Sequence, residues 1–253
     1  MLFQRLLIVA LSCLTVVFGG CAQHPLPRMD SYLGDAGQGA RDSSGAGRLD
    51  QAAGPINVGL LLINDTGAEG SAPALSDRAK AFLTHQVRER VEAAIPIRVA
   101  QVLEASGLPW PQDQHTLARI AREQGLTHLL VTLISSAESE VPAYLPLTGA
   151  PEQGGQRPNV PGYEAVNYAL AEMAVIETAG EKVVARSDGR AWTRLHRLNV
   201  TMKTNSYPVI HRSLRIAPIY PPEGEAKDML RSLAGDEALE QAVARLQAVW
   251  PKS

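Results

Sequence analysis

Hydrophobic spacing along this chain switches between a period of two and a period of 3.6, and the switches mark out its elements. Ile56 to Ile63 is a short apolar run between Gly54-Pro55 and Asn64-Asp65-Thr66-Gly67, which predicts a buried strand. From Ser76 to Ala94 the apolar residues fall at Ala79, Phe82, Leu83, Val87, Val91 and Ala94. That spacing predicts a helix capped by Ser76 and barred from continuing by Pro96. Ile97 to Leu103 is a second strand. Leu117, Ile120 and Ala121 mark a second helix from about Asp113 to Gly125, and Thr127 to Ile134 is a third, strongly β-prone strand. Strand–helix–strand–helix–strand predicts an α/β sheet with crossover helices.

A long antiparallel hairpin is expected next, from Tyr163 to Thr178 and Glu181 to Leu195, around a tight turn at Ala179-Gly180. Without a bulge, Ile176 faces Val183, Ala174 faces Ala185, Leu170 faces Gly189 and Tyr168 faces Ala191 on a buried side. Glu177, Met173, Ala169 and Asn167 then face Lys182, Arg186, Arg190 and Trp192 on the other, and a slip of one residue would exchange the faces. A stripe at Leu239, Ala242, Val243, Leu246, Val249 and Trp250 predicts a closing helix stopped by Pro251. The expected fold is one mixed sheet in a single α/β domain over 56–253, in the order β-α-β-α-β-β-β-α.

The first 55 residues follow neither period. Met1 to Arg5 is followed by an apolar stretch from Leu6 to Phe18 and then by Gly19-Gly20-Cys21. Residues 1–20 read as a secretory signal peptide, too short for a standard membrane span. The Gly-Gly-Cys end resembles the lipobox of bacterial lipoproteins, although Phe18 stands where leucine is usual. The resemblance implies that Cys21 is acylated, for example with palmitate, and becomes the first mature residue. Ala22 and Gln23 after it, with no aspartate resembling an inner-membrane retention signal, imply the periplasmic face of the outer membrane. Residues 21–55, rich in Gly, Ser, Asp and Gln, read as a flexible tether with a reach of roughly 30 Å.

Composition narrows the chemistry. The net charge of −2, from 24 basic and 26 acidic residues, does not suggest a nucleic-acid binder. Of the two cysteines, Cys13 leaves with the signal peptide and Cys21 would carry lipid, so neither a disulfide in the mature chain nor a thiolate zinc site is expected. The six histidines form no His-x-x-x-His or His-Glu pair. No nucleophile elbow, phosphate loop or dinucleotide glycine pattern appears. Asp65-Thr66-Gly67 is similar to the Asp-Thr-Gly of aspartic proteases, but a single motif supplies one carboxylate where two are needed, and it reads as a strand-ending turn. No catalytic residue, cofactor or metal is expected.

Two surfaces are candidates for binding. Between 181 and 215 the cations Lys182, Arg186, Arg190, Arg194, Arg197, Lys203, Arg212 and Arg215 outnumber Glu181 and Asp188. Arg186, Arg190 and Arg194 share one strand face with Trp192, and Lys182 would join them. This stripe would suit an envelope protein, a polyanionic glycan or an anionic lipid, or be a solvated sheet face. The second is a proline-rich loop over 139–163, where Val141, Tyr144, Leu145 and Leu147 cluster. Its Pro142, Pro146, Pro151, Pro158 and Pro161 are expected to keep it from pairing as a strand.

The strand ending in Ile63-Asn64-Asp65-Thr66-Gly67, the helix from Ser76, the segment Leu117 to Leu133 and the hairpin from Ala171 to Ala185 resemble the anticodon-binding-like domain of envelope lipoproteins. That group includes CsgG, LpoB and the N-terminal domain of TolB. The resemblance implies a non-enzymatic binding or accessory module in the cell envelope. A subunit of a CsgG-like secretion assembly and an unrecognised hydrolase are the alternatives.

Overall fold

The computed structural model describes residues 24–33, 55–104, 113–147, 158–199 and 206–250. The expected signal peptide, Cys21, Lys203, Pro151 and Pro251 lie outside the described residues. In chain order the elements are α1 (Met29–Leu33), β1 (Ile56–Asp65), α2 (Asp77–Ala94), β2 (Ile97–Leu103), α3 (Gln114–Glu123), β3 (His128–Pro146), β4 (Asn159–Glu177), β5 (Lys182–Leu198), β6 (Val209–Arg212) and α4 (Ala226–Val249). The fold is a mixed α/β one with a single six-stranded sheet in the order β2-β1-β3-β4-β5-β6. β1 runs parallel to β2 and β3, and the other pairings are antiparallel. Relative to the expected order, α1 and β6 are additional.

Local chemistry sets the helix starts. The Ser76 side chain accepts the Ala79 N–H and the Asp113 side chain accepts the Thr116 N–H, each filling an orphan donor of the first turn. Crossovers from β1 to β2 and from β2 to β3 travel in opposite directions along the sheet, so one hand of crossover puts their helices on opposite faces. Accordingly, α2 packs with α4 over Val58, Leu60, Leu130, Met173 and Val175. On the other face, α3 and α1 pack over Leu61, Ile63, Leu129, Val131, Leu133 and Ile176. α4 starts at Ala226, well before the expected stripe, and Val249 is exposed rather than part of it.

The hairpin departs from its expected register. Glu177 faces Lys182 and Ile176 faces Val183, but Val175 then faces Ala185, so Val184 bulges out of the ladder. Beyond the bulge, Ala174 faces Arg186, Leu170 faces Arg190, Ala171 faces Gly189 and Tyr168 faces Trp192. The turn spans 178–181 rather than two residues, with Glu181 at φ 51°. Gly189 is buried as expected, but against α4. A Cβ there would lie 2.1 Å from the Ala238 carbonyl oxygen and 2.4 Å from the Ala242 nitrogen.

The proline-rich segment also pairs, against expectation. β3 runs on to Pro146 and β4 begins at Asn159, joined from Pro142↔Tyr163 to Pro146↔Asn159. The prolines fit because their nitrogens face open edges. Ser136 turns its carbonyl to Ala72 on the β1 side, and β1 pairs no further than Ser135. By two-residue alternation, Pro142 and Pro146 aim at that same vacated edge, where no ladder donor is needed. Pro161 likewise faces the end of β5, its carbonyl accepting the Asn199 N–H.

Residues 24–33 do not behave as the expected tether. Met29, Tyr32 and Leu33 are buried on the sheet. Among the described residues no helix is long and apolar enough to cross a membrane.

Candidate functional site

Side-chain alternation puts Asp65 on the same face as Leu61 and Ile63, and Glu172 on the same face as Ala174 and Ile176. Arg186 faces Ala174 across the β4–β5 ladder and so shares that face. These three polar residues receive the N-terminal segment. Both backbone N–H groups of Arg28 and Met29 donate to the Glu172 carboxylate, at 2.7 and 3.2 Å. The Arg28 guanidinium Nε lies 2.8 Å from Asp65 Oδ2, and the Tyr32 hydroxyl donates to Asp65 Oδ1 at 3.0 Å. Arg186 pairs with Asp30. Before them in the chain, the His24 ring stacks edge-on against Tyr168, 4.3 Å between centroids.

The environment marks these contacts as internal. Burial pushes the Glu172 carboxyl above its ordinary range, opposed by the two backbone N–H donors and reinforced by Asp30 and Asp188. Burial also pushes the Tyr32 phenol up to about 12, aided by its hydrogen bond to Asp65 and by that carboxylate's charge. Asp65 further accepts the Gly67 N–H at 2.9 Å, so Asp65-Thr66-Gly67 is an Asx-type strand-ending turn. Both buried carboxylates hold the chain's own backbone and side chains. Beside the segment lies a cavity of about 330 Å³ lined by residues from Pro25 to Arg28, Glu69 to Ser71 and Ser135 to Ala137.

The basic stripe is divided by this arrangement. Arg186 is mostly covered and ion-paired under the N-terminal segment. Arg194 lies 5.4 Å from the Trp192 ring centroid and 3.6 Å from Glu164, which His196 also contacts at 2.8 Å. Arg190 is exposed, with no ion pair among the described residues. Lys182 precedes the Val184 bulge and so falls on the opposite face, not with the arginines. Arg212 and Arg215 lie against Glu237 of α4. Tyr144 is 76% exposed, but Leu145 is buried, with Gly162 beneath it, and cannot be a surface contact. Among the described residues no group of three or more His, Cys, Asp or Glu side chains is placed to hold a metal.

Sequence reasoning missed the whole N-terminal segment. A five-residue helix is shorter than any window in which periodicity can be read. The available signal was Met29, Tyr32 and Leu33 at helical spacing, together with a lone Glu172 inside an apolar strand.

No protein-family model matches the sequence, and no curated protein matches it. Among solved structures, the chain is similar to the hypothetical protein CT253 from Chlamydia trachomatis, with 14% identity over 77% of this chain and 97% of that one and a TM-score of 0.36. It is similar to the PelC L103M dodecamer from Paraburkholderia phytofirmans, with 12% identity, coverages of 73% and 89% and a TM-score of 0.27. A neuraminyllactose-binding hemagglutinin homolog from Helicobacter pylori shows 9% identity, coverages of 78% and 83% and a TM-score of 0.35. At TM-scores below 0.5, these likenesses assign neither fold nor function to this chain.

Proposed function

We propose that the protein is an outer-membrane lipoprotein, anchored through Cys21, whose α/β domain faces the periplasm as a non-enzymatic binding module. The observation that supports this most is the run from Leu6 to Cys21, an apolar segment ending on two glycines and the one cysteine left after cleavage. The docked segment adds to it. Only Ala22 and Gln23 separate Cys21 from His24, which already contacts the sheet. An anchor at this point would hold the domain close to the bilayer. The module reading draws on the two buried carboxylates, which hold the chain's own N-terminal segment, and on Arg190, Trp192 and Tyr144, which remain accessible.

Replacing Cys21 tests the anchor. Cys21→Ala should move the exported protein from the membrane fraction into soluble periplasmic extract. Retention of the variant on salt-washed membranes would overturn lipid attachment as the anchor.

A further inference from the structure

The face that receives residues 24–33 is unevenly covered. α3 packs over its lower end, around Leu129, Val131 and Ile176, and α1 over its middle. Toward the far end of the hairpin the same face continues as Tyr168 opposite Trp192 and Val166 opposite Arg194, with Ala137 and Ser139 beside them on β3. No described helix packs there. Val141 is 51% exposed on this end of the face, and Leu26 is 76% exposed on the segment that crosses it. Arg190 stands at its margin, exposed, and Arg194 lies against the Trp192 ring. Of the acids on this surface, Glu164 is engaged by Arg194 and His196, and Asp188, beside Arg190 on the same face, by Arg245 of α4.

The path of the chain says what this surface meets. His24 is held on Tyr168, within the area no described helix covers. Three residues of fully extended chain span at most about 11 Å, so Cys21 cannot lie farther than that from His24 along the backbone. A lipid carried by Cys21 would therefore enter the bilayer within that reach of Tyr168, not at the end of a long tether. Trp and Tyr with neighbouring arginine and a few aliphatic side chains is the composition that settles at a bilayer's headgroup level.

We propose that this helix-free end of the sheet face, with half-buried Tyr168 and Trp192 at its centre and exposed Arg190, Leu26 and Val141 around them, lies against an anionic phospholipid surface. The N-terminal segment acts as a rigid latch that fixes the domain's orientation there. This rests on the lipid-anchor reading. It leaves Tyr144 of β3, on the opposite side of the sheet from Tyr168, turned away from that surface.

The test uses the exported protein purified from producing cells. The mass of its N-terminal peptide reports whether Cys21 carries lipid. If it does not, the anchor reading fails by itself, and the thiol is coupled to a maleimide phospholipid so that the face is still tested. Anchored protein is placed in phosphatidylglycerol vesicles with and without brominated acyl chains. The Trp192 emission is taken as the difference between wild type and Trp192→Phe. Quenching of most of that component is expected, together with its recovery in Arg190→Glu/Arg194→Glu at an unchanged denaturant midpoint. Hydroxyl-radical footprinting of the unmutated protein gives a readout independent of any variant. Leu26 and Val141 should be protected on vesicles relative to soluble Cys21→Ala. Equal Trp192 emission in both vesicle types, or unprotected Leu26 and Val141, would overturn the proposal. Protection that appears only when a crosslinked protein is present would also overturn it, in favour of a protein occupant.

Discussion

Glu172 ties the N-terminal segment to the sheet. It is 5% exposed on the interior strand β4, and two backbone N–H groups from residues 28 and 29 point at it. Hydrogen bonds to a charged acceptor are worth about 1.5–3 kcal/mol, whereas an unsatisfied buried carboxylate costs at least as much. The site therefore works only while the segment is docked. Because burial raises this carboxyl above its ordinary value of 4.5, the folded state holds its proton to higher pH than the unfolded chain does. The associated stability is complete below 4.5 and is lost as pH rises through the raised folded value. Glu172→Gln cannot titrate, so it should remove that part of the pH dependence. Denaturant midpoints measured from pH 4 upward on both proteins check it; parallel profiles would assign the slope to other acids.

At the scale of elements, most of the sheet was legible and its exceptions have specific causes. Ser76 caps the helix it was expected to cap, α3 starts beside Asp113 as expected, and β2 has its expected ends, because capping residues and short apolar runs act locally. The Val184 bulge was not legible, since consecutive β-branched residues fit either register and the choice is made by what packs on each face. The prolines misled because a missing N–H matters only if it faces a partner strand, and the ends of β1 and β5 that spare them are tertiary facts. On the site, the face shared by Arg186, Arg190, Trp192 and Arg194 follows from spacing. Their division into a covered and an open part depends on α1, which sequence did not reveal. Gly189 shows the same lesson. Its smallness serves the α4 backbone, which a Cβ would meet at 2.1 Å, so the helix itself would have to move. Gly189→Ala should cost about 1–3 kcal/mol, and Gly189→Val at least as much. An unchanged denaturant midpoint for both would mean that α4 does not press on β5 there.

For the molecule as a whole, the question is whether residues 24–33 belong to the fold or merely lead to it. Met29 is 3% exposed and Leu33 is not exposed at all, so the segment contributes apolar burial as well as the polar contacts to Asp65, Glu172 and Arg186. Truncating one large buried side chain to alanine ordinarily costs about 2–5 kcal/mol. Here the loss has a ceiling, because a segment near the chain's end can release from the sheet once its docking free energy is spent. Met29→Ala/Leu33→Ala should therefore lower the unfolding free energy by about 2–4 kcal/mol, less than two full core truncations would. Adding Glu172→Ala to that variant should then cost little. With the segment already released, Glu172 faces water and its backbone donors have gone. The same Glu172→Ala in the wild-type background should cost clearly more, a non-additivity that contacts acting as one unit produce. Denaturant unfolding of the four proteins in this cycle measures it. Additive losses would make the hydrophobic and polar contacts independent, and no loss at all in the double variant would return residues 24–33 to the status of a tether.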